Sequence, residues 1–140
     1  MYLKKPELLA PAGNLTKLKI ALAYGADAVY ASTGSFSLRQ RSAKEFNKES
    51  FAQGVAYAHE RGKKLYATVN GFATNGQLGN IERHLEFLRD LRVDGILVAT
   101  LGVASLARAV APQIPIHVST QANVLNYLDA QVWAELGAVR

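Results

Sequence analysis

Tyr24-Gly25-Ala26-Asp27-Ala28-Val29 and Leu91-Arg92-Val93-Asp94-Gly95-Ile96, with Glu135-Leu136-Gly137-Ala138-Val139 as a weaker third copy, carry one message at three places in the chain. Each reads as the end of a helix, a turn and the start of a strand. Gly25 and Gly137 suit the left-handed residue that ends a helix, because glycine has no Cβ to clash there. A helix that hands over directly to a strand, repeatedly, is the product of a chain of β-α units.

Working outward, short β-type runs bounded by Gly, Pro, Asn or Asp are found at Glu7–Ala10, Ala28–Ser32, Lys64–Asn70, Gly95–Thr100 and Ile116–Thr120, and a sixth begins at Ala138. Between them apolar residues recur at helical spacing: Leu18, Leu22 and Gly25; Phe51, Val55 and Ala58; Ile81, Leu85 and Leu88; Val103, Leu106 and Val110; Leu128, Val132 and Leu136. Asn14, Asn47 and Asn126 precede three of these segments, where a side-chain oxygen can accept from free first-turn N–H groups.

This alternation predicts an α/β fold with a parallel sheet and its helices as crossovers. The expected architecture is the N-terminal part of a TIM-like barrel, about five βα units forming a single domain over 1–140 and truncated before closure. Two features carry that expectation: 140 residues fall short of the ~250 of a complete barrel, and Val139-Arg140 stands where a strand should be starting. An open doubly wound sheet is the alternative. Pro11-Ala12-Gly13-Asn14 is a tight turn into a helix, however, not the G-x-G-x-x-G of a dinucleotide site. Asp27 and Asp94 fall at the strand-entry face, which in barrels serves stability, so both read as structural.

Composition removes several function classes. The chain has no Cys, so neither a disulfide nor a thiolate-held metal or iron–sulfur cluster can exist within these residues. No segment resembles a signal peptide or approaches the ~18 apolar residues of a membrane span, so a cytoplasmic protein without a membrane partner is expected. A net charge of +5 and a pI near 9.6 favour an anionic partner such as RNA or a phosphate, although many enzymes are this basic. No G-x-S-x-G elbow, H-E-x-x-H helix or G-x-x-x-x-G-K-[ST] loop occurs, and no metal site is expected. His59 and His84 lie on helical segments away from the rim, as surface or packing residues.

In a barrel the site is built at the C-terminal ends of the strands. In Pro115-Ile116-His117-Val118-Ser119-Thr120-Gln121-Ala122-Asn123, alternation turns Ile116 and Val118 toward the helices and His117, Ser119 and Gln121 toward the interior. Buried polar groups are retained either as a satisfied network or as a site. His117 is thus a candidate general acid or base, and Gln121 and Asn123 can present amides to a base or a peptide; His117 and Ser119 fit a core network equally well. On the third strand Tyr66, Thr68 and Asn70 face one way, and Asn70 ends it at the rim before the small-residue loop Gly71–Gly76. The longest connection, Thr33–Phe46, carries Arg39 and Arg41, whose planar guanidinium donors match phosphate or carboxylate and make them anion-binding candidates, with Ser119 beside them as a substrate contact.

Pro6-Glu7-Leu8-Leu9-Ala10-Pro11-Ala12-Gly13, Tyr24-Gly25-Ala26-Asp27-Ala28-Val29-Tyr30, Ser37-Leu38-Arg39 with Arg41, and Ser119-Thr120-Gln121-Ala122-Asn123 resemble, in order and spacing, the N-terminal part of the collagenase-like peptidases, peptidase family U32. The resemblance implies a barrel-like catalytic domain in a cytoplasmic bacterial hydrolase. The loop ending in Glu45-Phe46-Asn47 is similar to that of the branch linked to tRNA hydroxylation, in which the wobble uridine becomes 5-hydroxyuridine. Other branches act on ribosomal RNA or in ubiquinone hydroxylation, often with an iron–sulfur cluster held by cysteines further along. The resemblance therefore implies no cofactor within this chain and a cluster, if any, on downstream Cys of a full-length enzyme, these residues being inactive alone. The partner is tRNA on this reading. A peptidase acting on a protein or peptide substrate is the rival, and a non-catalytic fragment or scaffold that self-associates through open barrel edges is the third reading.

Overall fold

Each crossover is punctuated by the local chemistry described above. A computed structural model describes residues 5–33, 36–37 and 45–140. It contains β1 (Leu9–Pro11), α1 (Leu15–Ala23), β2 (Ala28–Ala31), α2 (Lys48–His59), β3 (Lys64–Val69), α3 (Leu78–Asp90), β4 (Gly95–Val98), α4 (Leu101–Val110), β5 (Ile116–Val118) and α5 (Tyr127–Glu135). Asn14, Asn47 and Asn126 cap α1, α2 and α5, accepting from the N–H groups of Lys17, Ser50, and Leu128 with Asp129. The helix ends turn through left-handed residues at Gly25, Gly62, Arg92 and Gly137. Asp27 then accepts from the Leu8 N–H at 2.9 Å and Asp94 from the Leu65 N–H at 2.8 Å, so each aspartate before a strand ties down the strand beside it. Lys63 and His59 complete these two carboxylates, which confirms their structural role.

All pairings are parallel and the order is β1-β2-β3-β4-β5. A doubly wound sheet would change direction at a switch point; this one runs in sequence order and remains unclosed, as in the front of a TIM-like barrel. The sixth strand does begin where expected. Ala138 bridges Ile116, the Val139 N–H donates to the Ile116 carbonyl at 2.9 Å, and the Val118 N–H donates to the Arg140 carbonyl at 2.7 Å.

The core lies between the sheet and the helices. Val29, Leu65, Ala67, Val69, Ile96, Val98 and Ile116 meet Leu18, Phe51, Val55, Ile81, Leu85, Leu88 and Val103 there. Each fully buried aliphatic or aromatic side chain contributes about 1.5–3 kcal/mol of transfer free energy, so this layer sets the curvature and registry of everything on the opposite face.

Several details differ from the sequence reading, among them β4, which stops at Val98 and not at Thr100, because Thr100 caps α4. The first strand spans Leu9–Pro11, not Glu7–Ala10, and the fifth stops at Val118 because Thr120–Ala122 forms a short 3₁₀ turn. On α4 the small residues Ala104 and Ala107 are buried with Val103, while Leu106 and Val110 are only half-buried. On α5 the stripe Leu128–Val132–Leu136 is not the buried face: Leu128 and Val132 are exposed and Trp133 enters the core instead. The physical reason is coverage, since the sheet extends past β5 only by the segment 138–140 among the described residues.

Candidate functional site

Strand alternation sends the second set of side chains to the face away from the helices, and the structure arranges them in two levels. At the strand-entry level lies a closed network around Glu7. Its carboxylate accepts from the Tyr66 hydroxyl at 2.8 Å, from Lys64 Nζ at 3.0 Å and from Arg140 Nη1 at 2.9 Å, linking the segment before β1 to β3 and to the start of the sixth strand. Burial alone would raise the Glu7 pKa, but the hydrogen bonds from Lys64, Tyr66 and Arg140 outweigh it and hold it down at about 2. Burial and the neighbouring Glu7 carboxylate raise Tyr66, keeping its hydroxyl a donor.

His117 belongs to this lower level. Its ring packs edge-on against Tyr66, with centroids 4.6 Å apart, and burial together with the Arg140 charge lowers its pKa, leaving the imidazole neutral at pH 7. It does not line the cavity above.

At the strand-exit level a cavity of about 410 Å³ opens, within the range of small-molecule and nucleobase sites. Tyr30, Ser32, Thr68, Asn70, Ser119 and Gln121 line its polar side, and Ser37 and Glu45, from the loop after β2, reach its edge. Asn70 Nδ2 donates to Ser119 Oγ at 3.2 Å, and the Gln121 N–H reaches the same oxygen at 3.5 Å. The amide oxygens Asn70 Oδ1 and Gln121 Oε1 are buried without a hydrogen-bond partner among the described residues. Such an atom forfeits roughly 1–3 kcal/mol unless something supplies a donor, which marks this level as one prepared for a ligand.

The structure therefore brings together Asn70, Ser119 and Gln121 from the sequence-derived candidates. Gln121 arrives by the 3₁₀ turn, not by strand alternation as the sequence implied. Asn123 does not line the cavity: it is exposed, at φ 57°, and closes that turn, a conformation asparagine tolerates better than most residues. Arg39 and Arg41 lie outside the described residues. Sequence reasoning missed Tyr30, which follows the β2 alternation, and the partnership of Glu7, Lys64 and Arg140, which no local pattern signals. Among the described residues there is no group of three or more His, Asp or Glu positioned for a metal ion, and without Cys the chain offers no thiolate to a cluster.

Phe36, in the connection after β2, is docked on its neighbours. The Gly71 N–H donates to the Phe36 carbonyl at 2.7 Å, and a Cβ at Gly71 would sit 2.9 Å from that oxygen, so glycine is required for the approach. Phe36 also packs on His84, with centroids 5.2 Å apart, and burial, aided by the Lys48 charge, depresses the His84 pKa to about 4. His84 is thus a packing residue, whereas His59 is partly exposed and paired with Asp94.

The family model described as "Peptidase family U32" matches residues 13–140. The chain belongs to peptidase family U32. Within it, the chain is 58% identical over 134 residues to a Helicobacter pylori protein named "tRNA hydroxylation protein P", covering 96% of this chain and 32% of that one. A protein of the same name from Escherichia coli is 41% identical over 136 residues, covering 97% of this chain and 30% of that one. The chain thus spans about a third of the length of these relatives. The solved structure titled "The Structure of the U32 Peptidase Mk0906" superposes with a TM-score of 0.76 at 19% identity, over 99% of this chain and 59% of that one, which establishes the shared barrel-like fold. No helix among the described residues is long and apolar enough to cross a membrane.

Proposed function

We propose that the U32 protein to which these residues belong takes part in hydroxylation of transfer RNA, converting the wobble uridine to 5-hydroxyuridine. The observation that carries this reading is the identity of 58% and 41%, over nearly the whole chain, to two proteins named for tRNA hydroxylation. The geometry supports it: the cavity at the strand ends offers unpaired amide oxygens and a tyrosine ring, the groups with which proteins hold unstacked bases. The excess of basic residues supports a polyanionic partner. Arg39 and Arg41 grip a phosphate in this reading, Asn70, Ser119 and Gln121 touch the base, and His117 backs them from the level below. Any iron–sulfur cluster is held by cysteines outside residues 1–140, because this chain has none. A cytoplasmic location follows from the substrate.

Nucleoside mass spectrometry of transfer RNA from cells lacking the gene, with and without the full-length gene restored, tests the proposal. Loss and return of 5-hydroxyuridine is expected; an unchanged level in cells with no second copy of the activity would overturn it. Peptide hydrolysis in the same cavity is the second reading, favoured by the fold shared with a structure titled as a peptidase. Cleavage of denatured collagen by repurified full-length protein, abolished by a cavity substitution, would establish it instead.

A further inference from the structure

The two levels of the inner face differ in one respect that the family assignment does not explain. Glu7, Lys64, Tyr66 and Arg140 satisfy one another, yet at the rim two buried acceptors are left over, Asn70 Oδ1 and Gln121 Oε1. Asn70 Nδ2 donates to Ser119 Oγ, an oxygen that also faces the Gln121 N–H, so both amides are anchored on one serine. The 3₁₀ turn places Gln121 beside that serine, and the register of β3 against β4 and of β4 against β5 brings Asn70 and Ser119 to the same height. Among the described residues nothing donates to these two oxygens, and a ligand that carries donors would complete them.

A uridine inside an RNA chain carries two hydrogen-bond donors, the N3–H of the base and the 2′-hydroxyl of the ribose; its other polar atoms are acceptors. We propose that Asn70 and Gln121 are the specificity-determining residues of this cavity, their amide oxygens accepting from the N3–H and the 2′-hydroxyl of one uridine turned out of its stack, with Tyr30 as the ring it lies against. This rests on the tRNA reading above and specifies which part of the substrate the site holds. Holding the base by its N3 edge leaves the C5–C6 edge free, the edge that changes when C5–H becomes C5–OH. Accepting from the 2′-hydroxyl selects RNA over DNA. Rejection of a ligand that lacks a donor follows from the buried acceptor it would strand.

The test uses the full-length protein and an anticodon stem-loop RNA carrying uridine, 3-methyluridine or 2′-deoxyuridine at the wobble position, with Kd measured at fixed salt. Each altered nucleotide should weaken binding by about tenfold or more, the usual size for a stranded buried acceptor. Asn70→Ala and Gln121→Ala should each bind the uridine RNA less tightly and lose discrimination against one of the two altered RNAs. The altered RNAs are read on the unaltered protein, so a variant that fails to fold does not decide the matter. Equal affinity for all three RNAs, in a protein whose gene restores 5-hydroxyuridine, would overturn the assignment of Asn70 and Gln121 while leaving the tRNA reading intact. Absence of both 5-hydroxyuridine loss and RNA binding, with an unstructured peptide bound instead, would overturn the two together.

Discussion

The strand-entry level and the strand-exit level of the inner face are both built from polar side chains, charged below and mostly neutral above, and they are opposite in character. Below, a carboxylate, a phenol and two cations close on one another, and Glu7 is held at a pKa of about 2 as a result. Above, a serine oxygen serves two donors and two amide oxygens have none among the described residues. Polar residues that satisfy each other hold strands in place; polar residues left wanting define what the site must be given. A buried polar side chain is evidence of function only after its partners have been counted.

The largest effect should come from the lower level. Glu7→Ala strands the Tyr66 hydroxyl, and urea denaturation should show a loss of about 2 kcal/mol, most of it from that phenol, since Lys64 and Arg140 are half-exposed and water re-solvates them. If the loss were near zero, the lower level would not be the structural one. The same carboxylate predicts a pH dependence. Its folded pKa lies below the 4.5 of an unperturbed glutamate, so its contribution is complete above that value and declines as pH falls toward about 2; Glu7→Gln should flatten that part of the stability–pH curve.

Gly71→Ala should cost about 1–3 kcal/mol by forcing the Phe36 carbonyl away, and it should also weaken ligand binding, because Ser37, adjacent to Phe36, edges the cavity. A stability loss without a binding loss would separate the loop from the site. His84 yields a smaller signature at higher pH. Its folded pKa of about 4 lies below the 6.5 of a free histidine, so the protein should lose stability as pH drops through that window, and His84→Leu should remove the slope. The smallest stability effect belongs to the rim: Asn70→Ala should change unfolding by about 0.5 kcal/mol or less while impairing binding, since the hydrogen bond it loses to Ser119 is offset by the unmet acceptor it deletes. A large destabilisation there would erase the distinction between the levels.

Much of the frame was legible because it is local. Asparagine caps, left-handed helix ends and the 3.6- and 2-residue periodicities depend on a few neighbouring residues, and Asn14, Asn47, Asn126, Gly25 and Gly137 all do what their positions imply. The facing of Tyr66, Thr68 and Asn70 followed from alternation alone. Height within the barrel did not. His117 and Ser119 share a face, and the register across β3, β4 and β5 sets His117 level with Thr68, yet its ring meets Tyr66 across Gly95, which has no side chain, while Ser119 stands level with Asn70 and bonds to it. The α5 stripe failed for a related reason: periodicity says which residues share a face, and coverage by other elements says whether that face is buried.

By itself, then, the sequence determined the order of β-α units, their caps, the sign of the charge, the lack of a thiolate within these 140 residues and the family to which the chain belongs. Tertiary structure alone decided that Glu7 meets Arg140 across 133 positions, that Gln121 reaches the cavity through a turn, and which polar atoms remain unpaired. The division follows from range. Backbone propensity and capping are settled within a few residues, whereas hydrogen-bond satisfaction depends on groups that only parallel strand pairing brings together.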